Sequence, residues 1–434
     1  MHILLPSDTF PPGSVGGAAW SAHALALALM QRGYSVTAVV PTRAPFANPP
    51  SPLNGGVPTL RWPYYAPPIP FVQNYYRHER LWPRLAATLV ELGRRAAADD
   101  RPLLIHAQHV QTTPAAVLAG ARLGVPVVAT VRDHWPWDYF ATGLHGNRIP
   151  APPRPTLPGQ VAALLTDLVA RMGALRGLLA LPAIPYMLAH VRRRAALLAQ
   201  ADAVIAVSGY IAGRLAPLVP AERLHVIPNM VNIAQAERSA AAPLEAPVAV
   251  PFLLYIGKLE RNKGAALLPA IFRALRDGGY TAPLPPLVVA GSGALRAELG
   301  RELAALGVPV QFLEWVPHDE ILRLMARCTL LLFPSSWGEP LSRVLLEASA
   351  LGAPIVAMPT GGTPDIIVDG ESGILAASTE QFGRAVGRLL ADEGARQRLS
   401  AGARRVARQR FAAEVVLPQV EQLYQRVLAE VAPR

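Results

Sequence analysis

Two glutamates, Glu339 and Glu347, are the residues whose spacing in this chain bears most directly on chemistry. They lie in PSSWGEPLSRVLLEASALGAPIVAMPTGGTPDIIVDGESGIL, residues 334–375. The apolar run TLLLFP before it reads as a strand, the following loop carries Glu339, and a helix then carries Glu347. A loop at the carboxyl end of a parallel strand, leading into a helix N-terminus, is where α/β proteins receive anionic ligands. Placed on one helix, carboxylates at this spacing would stand about 12 Å apart. They would then share neither a proton nor a metal, but would suit opposite ends of one ligand. A hydrolytic carboxylate pair, about 5–9.5 Å apart, fits less well.

Other polar residues gather at similar places. Lys258 and Lys263 are the only lysines in the chain and sit five residues apart, just after the strand-like FLLYIG, with Gly257 beside the first. The alternative for both is a pair of solvated surface lysines. Gly291-Ser292-Gly293 and Gly361-Gly362 offer backbone amides, and Ser292 a hydroxyl, for phosphate or sugar contacts. Gly16 and Gly17 open a helix, so their amides can face a phosphate or a second substrate; a turn with no ligand role stands beside this. Strand VPVVATV ends at Arg132, Asp133 and His134. His106 and His109 follow LLI, either as ligand contacts or as satisfied core histidines. Cys328, the single cysteine, lies in CTLLLF and reads as a buried core thiol.

These residues need elements to hold them. Near-continuous apolar runs, HILLP, SVTAVV, LLIHA, VPVVATV, AVIAVS and LHVIP, then FLLYIG, LPPLVVAG, VQFLEW, TLLLFP and PIVAM, indicate strands buried on both faces. Helical stretches such as 18–32, 265–277 and 380–393 alternate with them. The expected fold is α/β: two Rossmann-like, doubly wound parallel-sheet domains facing a cleft. The boundaries expected are 1–233, a small-residue and proline linker at 234–251, a second domain at 252–411, and a helix at 412–434 crossing back to the first domain. Residues 41–70 read as a proline-rich loop. Residues 157–198 form an Arg-studded apolar insertion in which Val161, Leu164, Leu165, Leu168 and Met172 recur at helical spacing. That face belongs either to an amphipathic membrane-surface helix or to helices covering the first sheet.

The chain has 434 residues, 51% hydrophobic and 16% charged, which excludes wholesale disorder and suits two to three domains. One cysteine leaves no disulfide framework. The first residues read as a strand rather than a signal peptide, and no apolar run reaches the ~18–20 residues that span a bilayer. The net charge of +11 is concentrated at the front: residues 1–232 hold 20 Arg and 10 acids, residues 233–434 hold 21 Lys and Arg and 20 acids. A basic half suits an anionic partner such as a membrane surface, a nucleic acid or a phosphorylated substrate. No basic–aromatic recognition pattern accompanies it, so no nucleic acid is expected. No Asp-x-Asp, His/Cys ligand spacing, hydrolase triad or Walker loop is found, and no metal or other cofactor is expected.

The Glu-x7-Glu pattern resembles that of the retaining glycosyltransferases of family 4, which have the two-Rossmann-domain GT-B fold. The likeness runs nearly the whole chain: Gly16-Gly17 resembles the family's first glycine loop, VIAVS with VIPNMVN its middle stretch, and Gly257-Lys258-Leu259 with Lys263-Gly264 its "GRL…KG". Gly291-Ser292-Gly293 and Gly361-Gly362 fill its later glycine positions. The resemblance implies that Glu347 holds ribose hydroxyls, Glu339 holds donor-sugar hydroxyls, and Lys258 and Lys263 neutralise the diphosphate. Fixed cations make independent sense where no metal stabilises the leaving group. ATVRDHWPW is similar to the family's "TlHDyW", whose histidine falls at Arg132 here, with His134 two places on and Asp133 placed to orient either. Lys258 replaces a usual Arg, Ser342 and Arg343 stand where glycine is common, Asp365 replaces Glu and Asn232 replaces Asp. Ser342 is counted with the binding residues.

The implied activity is metal-independent, retaining transfer from a UDP- or GDP-sugar to an acceptor hydroxyl, lipid-linked, polysaccharide or small-molecule. The acceptor hydroxyl would attack on the leaving-group side. The alternatives are a 2-epimerase or starch-synthase-like enzyme of the same fold, or a non-catalytic nucleotide-sugar binder. The expected location is cytoplasmic, with the inner face of the plasma membrane as a peripheral, anionic partner.

Overall fold

A computed structural model describes residues 1–11, 16–43, 56–97, 101–142, 144 and 156–430. Two compact units emerge, each around one sheet. The first comprises 1–143, 155–230 and 416–434, and the second 144–154 and 231–415.

The first unit's sheet contains β1 (His2–Pro6), β2 (Ser35–Arg43), β3 (Thr59–Tyr64), β4 (Leu103–Ala107), β5 (Val127–Val131), β6 (Ala203–Ala206) and β7 (Leu224–Val226). All pairs are parallel, in the order β3-β2-β1-β4-β5-β6-β7. β4, β5 and β6 are buried at every position, as their unbroken apolar runs require. The second unit has β8 (Leu253–Ile256), β9 (Leu287–Ala290), β10 (Val310–Glu314), β11 (Leu330–Phe333), β12 (Ile355–Ala357) and β13 (Ile374–Leu375), in the order β10-β9-β8-β11-β12-β13 and again all parallel. In each sheet the order reverses once, between β1 and β4 and between β8 and β11. Those are the switch points where α/β sheets open a crevice at the carboxyl ends of their strands.

Two expectations are corrected, and one of the two readings left open for the insertion falls away. Residues 41–70 are not simply a loop: β2 runs on through Pro41, and Thr59–Tyr64 adds edge strand β3 with Pro63 inside it. Proline is tolerated there because β3 has a neighbour on one side only, and Pro41 lies past the end of the β1 pairing. Residues 44–55 of that stretch lie outside the described residues. The expected linker 234–251 begins instead within a helix, Ile233–Ala241, whose N-cap is Asn232 accepting from the Gln235 amide at 3.0 Å. Asparagine caps as well as the aspartate it replaces. In the insertion, the face carrying Leu164 and Leu168 is not a surface face. These residues pack with Tyr139, Ile184 and Met187 in a satellite core, and Val161, Leu165 and Met172 border it.

The last helix, Ala413–Glu430, belongs to the first unit from Val416 onward. Tyr424 and His106 fix it there: the His106 ring lies between the Tyr424 hydroxyl, 2.6 Å from Nδ1, and the Thr130 hydroxyl, 2.7 Å from Nε2. His106 is thus a satisfied core histidine, and burial pushes its pKa down to about 3. Tyr424→Phe would leave one buried ring nitrogen without its partner. We expect about 1–3 kcal/mol lost, measured by urea unfolding of the two proteins. An unchanged midpoint would mean that the hydroxyl contributes nothing there.

Candidate functional site

In the second unit the expected residues converge on the carboxyl ends of four adjacent strands: Gly257 and Lys258 after β8, Ser292 after β9, Glu339 after β11, Gly361 and Gly362 after β12. β8 and β11 flank the switch point, so the lysine loop and the Glu339 loop are neighbours by topology. Lys263 Nζ donates to Glu339 Oε2 at 2.7 Å and lies 4.6 Å from the centre of the Trp337 ring, whose Nε1 donates to the same oxygen at 2.5 Å. The Lys263 and Glu339 side chains are 26% and 13% exposed, so this pair faces solvent from a shielded position.

Backbone packing sets that geometry. The Tyr255 hydroxyl reaches the carbonyls of both Lys258 and Lys263, each at 3.1 Å, tying the two lysine positions to β8. Gly264 follows with φ +76°, where a Cβ would run into the Pro334 carbonyl. Gly361, at φ +57°, likewise leaves no room for a Cβ beside the Glu339 backbone, and the Gly362 amide donates to the Glu339 carbonyl at 2.7 Å. Only glycine allows both left-handed backbone and such approach. Glycine at 361 therefore also has a packing role that needs no ligand. Lys258 and Ser292 are exposed, and Lys258 makes no ion pair with another described residue.

Glu339 precedes the helix Arg343–Leu351 while Glu347 lies inside it, so the spacing of two helical carboxylates does not apply. Ser342 caps that helix, accepting from the Leu345 amide at 3.4 Å; its hydroxyl is committed to the backbone and the side chain is buried. Glu347 is itself buried. Its Oε1 lies 2.9 Å from His318 Nε2 and 2.7 Å from Arg343 Nε. Burial works against its charge, yet Arg343 and His318 outweigh it and hold the carboxyl below its usual pKa.

The first unit has its own polar cluster at its switch point. His109, after β4, contacts Asp8, after β1, at 3.1 Å through Nδ1, and Asp133, after β5, at 2.7 Å through Nε2. Asp8 also takes the Gln111 and Thr112 amides at 2.7 and 2.9 Å, capping the helix Thr112–Leu123. Asp133 is thus paired with His109. Burial opposes a charge on His109, but Asp133 and Asp8 overcome it and raise the pKa to about 10. Such a raised group stabilises fully below its unfolded pKa, about 6.5, and its contribution fades as pH climbs through 10. We expect the Tm of the wild type to fall more steeply between those limits than that of His109→Gln, followed by differential scanning calorimetry across pH.

Arg132 and His134 part company. Arg132 is half-buried, donating from Nε to Asn229 Oδ1 at 2.9 Å and from Nη1 to Gln108 Oε1 at 2.7 Å. It lines a cavity of about 20 Å³ with Ser21, His106, Thr130, Asn229 and Met230, space for about one water. His134 is fully buried, its ring 5.5 Å from that of Trp137 and 5.8 Å from that of Tyr210. Gly16 and Gly17 are exposed at the start of the helix Gly17–Gln31.

Sequence reasoning missed Asp8, Tyr255, His318 and Trp337. Asp8 carried a usable signal, an acid two residues past a buried strand, and Trp337 stood two residues from Glu339. Tyr255 read as one more apolar strand residue. His318 lies 29 residues before Glu347, with no local pattern to join them.

Two doubly wound domains with these loops define the GT-B class of glycosyltransferase. Residues 15–235 match the family described as "Glycosyltransferase Family 4" and residues 238–406 match "Glycosyl transferases group 1"; the chain belongs to this glycosyltransferase family. It is similar to the glycogen synthase of Mycobacterium tuberculosis, 26% identical over 98% of this chain and 94% of that protein. It also resembles the D-inositol 3-phosphate glycosyltransferase of Xylanimonas cellulosilytica, 31% identical over 48% of this chain and 54% of that one. Among solved structures, the Anabaena protein HepE in complex with UDP-glucose superposes with a TM-score of 0.64 at 19% identity, covering 98% of this chain and 99% of its own. Sucrose-phosphate synthase from Thermosynechococcus elongatus does so with a TM-score of 0.65 at 22% identity, covering 99% of each.

Proposed function

We propose that the protein is a retaining, metal-independent glycosyltransferase using a UDP- or GDP-sugar. The observation that carries this reading is the Lys263–Glu339 pair, with Lys258 in the adjoining turn, at the β8/β11 switch point. A carboxylate held by a lysine suits sugar hydroxyls, and the neighbouring ammonium groups suit a diphosphate. Glu347, with Arg343 and His318 both on Oε1, offers its other oxygen to ribose hydroxyls. In the first unit, Arg132 takes the polar contact for which the family uses histidine, and Gly16 and Gly17 present amides at a helix start.

In the reaction the acceptor oxygen bonds to the anomeric carbon on the side from which the diphosphate leaves. The bond from that carbon to the phosphate oxygen breaks, and the departing phosphate takes the acceptor's proton. No side chain is then required as general base. The likeness to a glycogen synthase adds α-glucan to the acceptors worth trying beside lipid-linked and small-molecule ones. The test supplies UDP-glucose, UDP-galactose, UDP-N-acetylglucosamine or GDP-mannose with each acceptor in the presence of EDTA, and reads the anomeric configuration of the product by proton NMR. Product with the donor's configuration supports the reading. An inverted product, transfer abolished by EDTA, or nucleotide binding without any transfer or hydrolysis overturns it.

A further inference from the structure

The helix Ala174–Leu179, second in the insertion between β5 and β6, is built inside out. Its inward position is Gly177, where a Cβ would press into the backbone of Val169 on the preceding helix, and the buried residue that follows is Ala180. Leu175, Leu178 and Leu179, spaced i, i+3 and i+4 and so on one face, are 73%, 52% and 72% exposed, and Leu181 is 40% exposed. A helix stabilised by its own protein core turns leucines in and small residues out; this one does the reverse. The segment is also cationic. Arg171, Arg176, Arg192 and Arg193 are exposed, while Asp167, the one acid between residues 156 and 200, is buried.

Apolar side chains turned outward and flanked by unopposed guanidinium groups match one kind of partner, an anionic lipid surface. We infer that residues 175–181 dock this protein on an anionic bilayer, with the leucines at the acyl boundary and Arg176 among the headgroups. The residues that carry this are not those whose spacing suggested a membrane face in the sequence, since Leu164 and Leu168 serve the satellite core. Among the described residues no helix is long and apolar enough to cross a membrane, so the contact is peripheral.

The experiment is sedimentation of the full chain with vesicles of phosphatidylcholine alone or with added phosphatidylglycerol. It is independent of the sugar chemistry because it reads lipid binding and not turnover. Binding is expected to rise with phosphatidylglycerol and to weaken with salt. The pair Leu178→Gln and Leu179→Gln should lower affinity about a hundredfold, and Arg176→Gln about fivefold. Both should leave the Tm unchanged, because these side chains are already in water. Equal recovery in the supernatant with both vesicle types overturns the inference, as does undiminished binding by the leucine variant. A dimer that the leucine variant dissolves, without lipid binding, would overturn it in favour of self-association.

Discussion

Lys263→Ala should lower kcat for sugar transfer by about 10²–10³-fold, the usual loss when one preorganised charge is removed from a developing anion. The donor KM should change much less, since the lysine is asked to act mainly as the leaving group gains charge. The structure supplies a competing explanation that can be separated from this one. Lys263 donates to Glu339 at 2.7 Å, so the variant also releases Glu339. A double-mutant cycle with Glu339→Gln distinguishes the two. If Lys263 works only by placing Glu339, removing it from the Glu339→Gln protein costs little further rate. If it also meets the diphosphate, the second loss approaches the first. Stability should barely register the change, because the pair is partly solvated and such pairs contribute about 1 kcal/mol or less. A kcat within threefold of wild type would remove Lys263 from the chemistry altogether.

How the site is assembled explains what the sequence could and could not disclose. β4, β5, β9 and β11 are buried on both faces and therefore read as unbroken apolar runs, so the sheets and their parallel sense are legible. The loops beyond them are legible too, because Gly264 and Gly361 mark backbone that no other residue could follow into such close contact. Partnerships across the sheet are a different matter. His318 meets Glu347, and Asp8 meets His109, only because strand order brings distant loops together. His134 and Arg132 are two positions apart and looked interchangeable in the sequence; packing by Trp137 and Tyr210 separates them. β3 was hidden by Pro63, which an edge strand accepts.

Glu347→Gln should abolish the stabilisation that nucleotide gives the wild type. A ligand at 100 times its Kd contributes about 2.7 kcal/mol, a Tm rise of several degrees, and a screen of UDP, GDP, ADP and TDP should find one base that produces it. Glutamine keeps the shape and a hydrogen-bond acceptor for His318, but it removes the charge that answers Arg343. The variant's unliganded Tm should therefore fall, by an amount on the order of 1–3 kcal/mol for a lost charged hydrogen bond. For that reason the quantity that decides is the shift each protein shows on adding nucleotide, not its starting Tm. The pH dependence adds a second check. Because Arg343 and His318 hold the Glu347 carboxyl below its ordinary value of 4.5, its stabilising charge is present above that value and is lost only as pH falls through the lower folded-state value. Nucleotide stabilisation should accordingly persist to the acid side of pH 4.5 as long as the protein stays folded. An equal shift in Glu347→Gln would instead make the Glu347–Arg343–His318 cluster a structural tie between two helices, and the ribose contact would have to be sought elsewhere along the β8 to β12 edge.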